Sequence, residues 1–492
     1  MDKQAYLKDI AATIASGEFR ADWPSLASFR LPEWFRAAKF GIFIHWGPYS
    51  VPAFANEWYS RNMYIQGSPE YAHHIKTYGP HRDFGYKDFI PLFTAEKFDP
   101  AEWADLFKKA GARYAVPVAE HHDGFQMYDS ALSDWNAKKM GPRRDVLGEL
   151  KQALEKRELV FATSSHRAEH HWFMGPGRGF DSDVRDPLAC GDLYWPSIAE
   201  QPDFQNLQTK PDPSREYLDD WLLRTCELID RYQPKLLYFD WWIQHEAYKE
   251  NLKKIAAYYY NRGHEWGFPT AICYKHDAFA FGSAVVDVER GRFAQAKPYY
   301  WQTDTAVARN SWCHTSSLDY KSSRELICYL VDVVAKNANL LLNIGPKADG
   351  SIPDSDRQIL LDIGAWLAQN GEAIYGSRCW RYAEEGPTKE SEGQFTDGNA
   401  GDRYTHEDFR FTAAQGNIYA ICMAWPRDGR VTVKSLGTSH DAHQPSFHGL
   451  IREVAILGSD VRPDWRVDKE GLHIAAPGIE SDFPVTIRVT TD

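Results

Sequence analysis

The sequence predicts an α/β fold: a TIM-like (β/α)8 barrel, somewhat irregular, followed by a C-terminal antiparallel β-sandwich. Short runs that are continuously apolar, as in parallel strands buried on both faces, alternate with helical segments. From about Glu384 onward, alternating strands are separated by Gly, Asp and Pro turns instead. We therefore expect a barrel with an N-terminal helical extension over residues 1–380 and a sandwich over residues 381–492.

The barrel prediction depends on eight β-rich runs. Eight parallel strands, each followed by a helix, close this type of barrel, and a chain of 492 residues is long enough for it and one appended domain. The runs are residues 40–47, 113–120, 158–166, 235–242, 270–275, 283–289, 299–304 and 339–345.

Helical segments fall between many of these runs, and the clearest is DPAEWADLFKKAG. Asp99 is expected to cap this helix, Pro100 suits its first turn, and Glu102 would complete a capping box. Gly111 is expected to end it. The interval 289–299 is too short for a helix, so we expect the barrel to be irregular there. Other helices are predicted at the N-terminus and over residues 145–156, 215–232 and 322–335.

Composition and charge narrow the function classes. A net charge of −12 argues against nucleic-acid binding, which needs clustered Lys and Arg. Aromatic residues make up 14% of the chain, which fits carbohydrate binding because aromatic rings stack on the C–H faces of sugars. No apolar run reaches the ~18 residues of a membrane span, and the N-terminus lacks a signal-peptide core. We predict a cytoplasmic protein, or a periplasmic or secreted one if a leader was removed, with no nucleic-acid or membrane partner. The sequence leaves open whether it forms a homo-oligomer.

We expect neither a cofactor nor a metal. The seven cysteines are scattered, odd in number and without a CxxC pair, so they indicate neither a disulfide framework nor a zinc ribbon. The segment HRAEHHW groups His166, Glu169, His170 and His171, which makes it a candidate metal cluster. It lacks the HExxH spacing of zinc-binding helices, so we do not expect a metal there.

Side chains that could carry chemistry are concentrated at the carboxyl ends of the predicted strands, where such barrels have their active sites. A purely structural barrel would seldom place so many there. Two carboxylates on opposite sides of a sugar are the minimum for glycoside hydrolysis, so the sequence predicts a glycosidase. The strand ends include His45, Trp46, Glu120, His121, His122, Asp123, Ser165, His166, Asp240, Trp241, Trp242, Lys275, His276, Asp287, Glu289, Asp304 and Asn343.

Asp240 and Glu289 are the strongest catalytic candidates. Asp240 ends an apolar strand among aromatic residues, which would exclude water and strengthen its electrostatics; the alternative is a helix cap or a salt-bridged loop residue. Glu289 ends its strand close to two arginines, so its alternative is a surface ion pair. Asp287 shares a face with Glu289 but lies deeper, and Asp304 is a weaker candidate again.

Six long blocks, distributed over residues 30–380, carry a family resemblance. They are FGIFIHWGPYSVPAFANEWYSRNMY, EHHDGFQMYDS, PRRDVLGEL, WQTDTAVARNSW, KNANLLLNIGPKADGSIP and WLAQNGEAIYGSRCW. In these blocks the chain resembles the α-L-fucosidases of glycoside hydrolase family 29. The resemblance implies a (β/α)8-like catalytic domain followed by a β-sandwich. It also implies a retaining double displacement that releases terminal α-L-fucose from a fucosylated oligosaccharide or glycoconjugate.

The resemblance also implies roles for residues. Asp240 falls where the family keeps its nucleophile, and Glu289 is our assignment of the acid/base from its place at a strand end in DVERGR. The two carboxyl groups should lie ~5–5.5 Å apart, and Glu289 needs a raised pKa. Trp58 would pack near the apolar face or the methyl group of fucose. The family binds fucose at the positions of His45, Glu57, Trp58, His121 and His122, to which we add Trp46, Tyr238, Lys275 and Trp301 as candidates.

The sequence departs from the family at two places. A Lys usually precedes the His-His pair, where this chain has Glu120, and an Arg is common where this chain has Lys275 and His276. Two alternative functions stay open: a hexosidase acting on a related sugar such as an α-L-galactoside, and a non-catalytic sugar-binding barrel. The presence of both Asp240 and Glu289 argues against the second.

Overall fold

The computed structural model describes residues 2–199, 202–203, 205–398, 403–438, 443 and 446–492, and its larger part is a parallel β-barrel. The barrel strands are β1 (Phe40–Ile44), β2 (Tyr114–Glu120), β3 (Val160–Phe161), β4 (Thr163–Ser165), β5 (Leu236–Phe239), β6 (Ala271–Tyr274), β7 (Val285–Glu289), β8 (Trp301–Ala306) and β9 (Ala338–Ile344).

The barrel is closed. Its strands follow the order β1-β9-β8-β7-β6-β5-β4-β2-β3, and β1 also pairs in parallel with β2. The two short strands β3 and β4 both pair with β2 and together take one position, so the ring has eight positions. Every residue of β1, β2 and β9 is buried, which explains why their sequences are mostly apolar. The predicted (β/α)8 barrel is confirmed.

The helices surround and extend the barrel. All five predicted helices are present, and residues 290–300, each of which is described, form none. Among the described residues, every helix is too short or too polar to span a membrane. The helices are α1 (Lys3–Ser16), α2 (Trp23–Leu26), α3 (Glu33–Ala38), α4 (Tyr59–Asn62), α5 (Pro69–Tyr78), α6 (Pro100–Lys109), α7 (Val146–Glu155), α8 (His170–Phe173), α9 (Arg215–Tyr232), α10 (Lys249–Trp266), α11 (Ser323–Ala335) and α12 (Asp354–Asn370).

Helix α6 shows how local sequence sets its ends. The carboxylate of Asp99 accepts hydrogen bonds from the backbone N–H groups of Ala101 and Glu102, as a capping residue does. Gly111 follows the helix with a φ of 82°, a conformation that glycine adopts without strain. The expected capping box is not formed, because the Glu102 carboxylate pairs with Arg357 at 2.5 Å instead.

The C-terminal part is an antiparallel sandwich of two sheets, as predicted. One sheet has the order β10-β11-β12-β17-β14 and the other β13-β16-β15, and apolar side chains from both form one core. The sandwich strand β10 begins at Arg378, three residues before residue 381, where the sandwich was expected to begin. The strands are β10 (Arg378–Glu385), β11 (Phe409–Ala414), β12 (Asn417–Cys422), β13 (Arg430–Val433), β14 (Ile451–Ile456), β15 (Asp464–Asp468), β16 (Gly471–Ala475) and β17 (Val485–Thr491).

A buried charge cluster joins the barrel to the sandwich. Asp332 in α11 is fully buried and accepts from Arg292 at 3.1 Å, from Lys336 at 3.0 Å and from Arg410 of β11 at 2.5 Å. Burial alone would raise the pKa of Asp332, but the three cations outweigh it and hold the pKa well below its usual range. We refer to these four residues as the interface cluster.

Candidate active site

A cavity of about 510 Å³ opens at the carboxyl ends of the barrel strands. Its size lies within the range of small-molecule sites, and its position is that of the active site in this fold. It is lined by Phe43, His45, Asn56, Glu57, Trp58, Asn62, His121, His122, His166, Tyr238, Asp240, Trp241, Lys275, His276, Glu289, Asp304, Trp312 and Phe395.

Asp240 follows β5 directly and lies at the centre of a set of hydrogen-bonding and charged groups. Its Oδ2 accepts from His166 Nδ1 at 3.0 Å and lies 3.5 Å from His122 Nε2, while its Oδ1 lies 3.2 Å from the Lys275 ammonium. Burial alone would raise the pKa of this carboxyl, but Lys275 and the two histidines outweigh it and hold the pKa well below its usual range. Asp240 is therefore ionised at neutral pH.

Glu289 is the last residue of β7 and has the opposite protonation behaviour. Its Oε2 lies 2.9 Å from Lys275 Nζ. Burial, which favours the neutral acid, raises the pKa of Glu289 to about 7 despite this contact, and the negative charges of Asp240 and Asp304 add to the rise. A group with this pKa can give up and take back a proton near neutral pH.

Lys275 follows β6 and holds three carboxylates together. Besides the two contacts above, its Nζ lies 3.3 Å from Asp304 Oδ2, and that oxygen also accepts from Tyr238 Oη at 2.8 Å. Burial alone would lower the pKa of Lys275, but Asp304, Glu289 and Asp240 outweigh it and raise the pKa well above its usual value. Lys275 therefore stays charged. We refer to Lys275, Asp240, Glu289 and Asp304 as the mouth cluster.

Asp287 lies deeper than Glu289, as its place on the strand predicts. Its Oδ2 accepts from Gln302 Nε2 at 2.8 Å, and it does not line the cavity. Asp304 lines the cavity, but its contacts with Lys275 and Tyr238 occupy one of its oxygens.

Four histidines stand around Asp240. The Nδ1 of His45 donates to Asn343 Oδ1 at 2.7 Å, and the Nδ1 of His122 donates to the backbone carbonyl of His166 at 3.0 Å. Burial lowers the pKa of His45 and His121 well below the usual value and that of His122 to about 3. The strand β2 ends before the His-His pair, which allows both rings to reach the cavity. Neutral imidazoles can both donate to and accept from sugar hydroxyl groups.

Glu57 and Trp58 reach the cavity from the segment between β1 and α4. Glu57 Oε2 accepts from the backbone N–H of Trp312 at 3.0 Å, and burial raises the pKa of its carboxyl. The Trp58 ring lies 5.1 Å from the ring of Phe173 and 5.7 Å from that of His122. An indole and a carboxyl group side by side can bind the apolar and the hydroxyl-bearing faces of a sugar.

Two of the expected substrate-binding residues, Trp46 and Trp301, do not line the cavity, so neither is placed to contact a sugar bound there. The ring of Trp46 packs against Phe93 and Trp103, and its Nε1 donates to the carbonyl of Lys347 at 2.7 Å. Trp301 is fully buried, and because it is the first residue of β8 and not the last, it lies at the opposite end of the barrel from the cavity.

Several cavity residues were not proposed as site residues from the sequence. His166 and Asp304 were named at the strand ends, His166 also in a possible metal cluster and Asp304 as a weak acid candidate, but neither was assigned to catalysis or substrate binding. Trp312 lies in the loop after β8, and Phe395 lies beyond β10, outside the barrel. No strand pattern marks those two positions.

The departure at Glu120 has a structural explanation. Glu120 is buried below the cavity, where it accepts from Arg167 at 2.5 Å and lies 3.3 Å from Arg224. Asp220 accepts from the same two guanidinium groups at 2.9 and 2.8 Å. The acidic residue therefore belongs to a buried network of two carboxylates and two arginines, and it does not reach a ligand in the cavity.

Metal-ligating groups occur in the cavity as well. The ligand atoms of His45, His121 and His166 lie within 4.8 Å of one another, as do those of His122, His166 and Asp240. Both ring nitrogens of His166 already have partners, Asp240 and Ser164. An ion there would have to displace one of these hydrogen bonds. All seven cysteines of the chain are free thiols.

Comparison with known proteins identifies the family. Residues 6–372 match the family model for alpha-L-fucosidase, and residues 402–487 match the model for the alpha-L-fucosidase C-terminal domain. The chain is 31% identical to the tissue alpha-L-fucosidase of Rattus norvegicus, over 98% of this chain and 94% of the relative. Its identity to the plasma alpha-L-fucosidase of Homo sapiens is also 31%, over 93% of this chain and 88% of that relative.

Comparison with solved structures indicates the same family. The alpha-fucosidase of Thermotoga maritima in complex with fucose is 32% identical and superimposes with a TM-score of 0.74, over 96% of this chain and 100% of that chain. The two family models together cover most of the chain, and the structural likeness includes both the barrel and the sandwich. The chain therefore belongs to the α-L-fucosidase family, glycoside hydrolase family 29, and is a glycoside hydrolase.

Proposed function

We propose that the protein is an exo-acting retaining α-L-fucosidase in which Asp240 is the nucleophile and Glu289 the acid/base. Asp240 Oδ1 attacks the anomeric carbon of a terminal α-L-fucosyl residue while protonated Glu289 gives its proton to the leaving oxygen. A water molecule, deprotonated by Glu289, then hydrolyses the β-fucosyl ester on Asp240. The glycosidic bond breaks in the first half, the ester bond in the second, and the configuration is retained.

The observation that carries this proposal is the opposite behaviour of the two carboxyl groups beside one ammonium group. Burial raises the pKa of Glu289 to about 7, while Lys275 and the histidines lower that of Asp240. A pair with separated pKa values supplies one neutral acid and one anion at the same pH. Formation of the ester removes the charge of Asp240, which lowers the pKa of Glu289 and prepares it to act as a base.

The positions of the carboxylates favour retention. Asp240 Oδ1 and Glu289 Oε2 contact the same nitrogen at 3.2 and 2.9 Å. Two oxygens on one nitrogen at these distances cannot be separated by the ~6.5–9.5 Å that inverting enzymes keep for a water molecule. Asp240 Oδ2 accepts from His166, while Oδ1 has an ionic contact with Lys275 but accepts no hydrogen bond from the described residues, so we assign Oδ1 as the attacking oxygen.

We assign the remaining cavity residues to fucose. The imidazoles of His45, His121 and His122 and the carboxyl of Glu57 bind hydroxyl groups, and Trp58 packs on the apolar face or the methyl group. The complex of the Thermotoga maritima relative with fucose supports this substrate. Lys275 takes the place of an arginine as the cation that holds both catalytic carboxylates.

The stereochemistry of hydrolysis tests the proposal. We expect 4-nitrophenyl α-L-fucoside to release L-fucose first as the α anomer, followed by slow mutarotation, in a time course by proton NMR. Release of the β anomer first would contradict the double displacement. Faster hydrolysis of 4-nitrophenyl α-L-galactoside would instead make the related hexosidase the correct activity.

A further inference from the structure

Phe395 places an exposed aromatic ring at the cavity from outside the barrel. It lines the cavity together with Glu289 and Trp241, yet it is 65% exposed. It lies in the segment between the sandwich strands β10 and β11. The histidines that surround Asp240 are all buried, so Phe395 stands at the outer edge of the cavity and not around the sugar that reacts.

The backbone fixes the position of Phe395. Its N–H donates to the carbonyl of Glu289 at 2.9 Å, and Gly393 and Arg292 exchange backbone hydrogen bonds at 3.0 and 3.2 Å. Phe395 has a φ of 54°, in the left-handed region that bulky residues avoid. Such a conformation persists only where the surroundings impose it, so the ring is held beside Glu289.

Side chains on the same segment strengthen the attachment. The carboxylate of Asp397 accepts from Thr305 Oγ1 and from Lys321 Nζ, both at 2.5 Å. A Cβ atom at Gly291 would lie 1.9 Å from the carbonyl oxygen of Gly393, so only glycine permits the two chains to approach this closely. Residues 393–397 are thus fastened to the chain that follows the acid/base.

The chemistry of glycoside cleavage indicates which part of the substrate lies next to Phe395. Glu289 must reach the glycosidic oxygen, so the leaving group has to lie on the Glu289 side of the cavity. The ring of Phe395 is anchored next to Glu289 and faces solvent. A leaving group that protrudes from the cavity would cover an apolar ring that otherwise stays in water.

We propose that Phe395 forms the apolar wall of a leaving-group subsite, where it stacks on the C–H face of the pyranose to which fucose is attached. The inference rests on the proposed function and adds the subsite that selects the acceptor sugar. The segment beyond the barrel thus supplies specificity, while the barrel supplies the catalytic groups. Phe395 acts by binding and takes no part in proton transfer.

The test compares Phe395→Ala with the wild type on two substrates. One is a fucosylated disaccharide, and the other is α-L-fucosyl fluoride, whose leaving group has no ring. We expect the ratio of kcat/KM for the disaccharide over that for the fluoride to fall about tenfold, which corresponds to ~1.4 kcal/mol. The loss should appear mainly in KM, and Phe395→Tyr, which keeps the ring, should retain most of the ratio.

Phe281→Ala is the matched control. Phe281 is 68% exposed and does not line the cavity, so its replacement should leave the ratio unchanged. A Phe395→Ala enzyme that hydrolyses the fluoride but keeps the wild-type ratio would overturn this inference and leave the proposed function intact. A wild type inactive on both fucosides would overturn the proposed function and the subsite with it.

Discussion

The mouth cluster and the interface cluster are both buried groups of acidic and basic side chains, but the pKa values of their carboxyl groups are shifted differently. In the interface cluster, the contacts of Asp332 with Arg292 and Arg410 outweigh burial, so each of these groups is held more firmly in its charged form. In the mouth cluster, one ammonium group contacts three carboxylates. The pKa of Glu289 is raised to about 7, while that of Asp240 is lowered.

The number of cations close to each carboxyl group explains the difference. Asp332 has three cations within 3.1 Å, so its negative charge is stabilised from several sides. Lys275 cannot neutralise Asp240, Glu289 and Asp304 at once, so a proton on one of them is favoured. Buried charge by itself therefore does not identify an active site. Carboxyl groups whose pKa values are pushed apart do.

Among substitutions in the two clusters, we expect the largest loss of activity from replacing Glu289. Glu289→Gln should lower kcat/KM ~10²–10⁴-fold on a fucosylated disaccharide, whose leaving group needs a proton. The loss should be far smaller on α-L-fucosyl fluoride, because fluoride needs little acid assistance. Equal losses on the two substrates would exclude Glu289 as the acid.

The same variant should keep its stability. The folded-state pKa of Glu289 is raised above its unfolded value, so its ionisation opposes folding as pH rises from about 4.5 toward about 7. Glutamine removes this ionisation, so the free energy of unfolding at pH 7 should be equal to or higher than that of the wild type in chemical denaturation.

The next largest effect is expected at the interface cluster. Asp332→Asn removes the anion between three buried cations, and breaking a buried pair in this way costs ~3–5 kcal/mol. We expect that loss in the free energy of unfolding, measured by chemical denaturation, with kcat on α-L-fucosyl fluoride unchanged for the folded fraction. A loss below ~1 kcal/mol would show that Asp332 contributes no more than an exposed ion pair.

The smallest effect is a shift in pH dependence. The proposed mechanism requires protonated Glu289, whose pKa is about 7, so we expect kcat/KM to fall as pH rises through neutrality. The charge of Lys275 lowers this pKa, and Lys275→Met should therefore move the alkaline limb to higher pH by ~1 unit or more. Lys275→Arg keeps the charge and should keep the limb near its wild-type position. An unmoved limb in Lys275→Met would mean that another group sets it.

The barrel and the two candidate catalytic carboxyl groups could be predicted from the sequence because they depend on local patterns. Continuously apolar runs identify buried parallel strands, and the fold dictates that the side chains at their carboxyl ends meet. This rule places Asp240, Glu289, Lys275 and the histidines in one cavity, as the structure does. The family resemblance added the sugar, which strand patterns cannot supply.

Side-chain direction and long-range contacts could not be predicted in the same way. Trp46 and Trp58 lie in one motif, but packing against Phe93 and Trp103 turns Trp46 into the core while Trp58 lines the cavity. Phe395 reaches the cavity only because a backbone bridge ties its segment to residues 289–292, more than 100 positions earlier. No periodicity in either segment encodes that pairing.

The central claim is that Asp240, which Lys275 and the histidines hold in its ionised form beside Glu289, is the nucleophile, and chemical rescue tests it most directly. Asp240→Gly should lose activity on 4-nitrophenyl α-L-fucoside by several orders of magnitude, because no carboxylate is left to form the ester. Sodium azide should restore release of nitrophenol and give β-L-fucosyl azide, identified by NMR. Full activity of Asp240→Gly without azide, or an azide product of α configuration, would contradict the account.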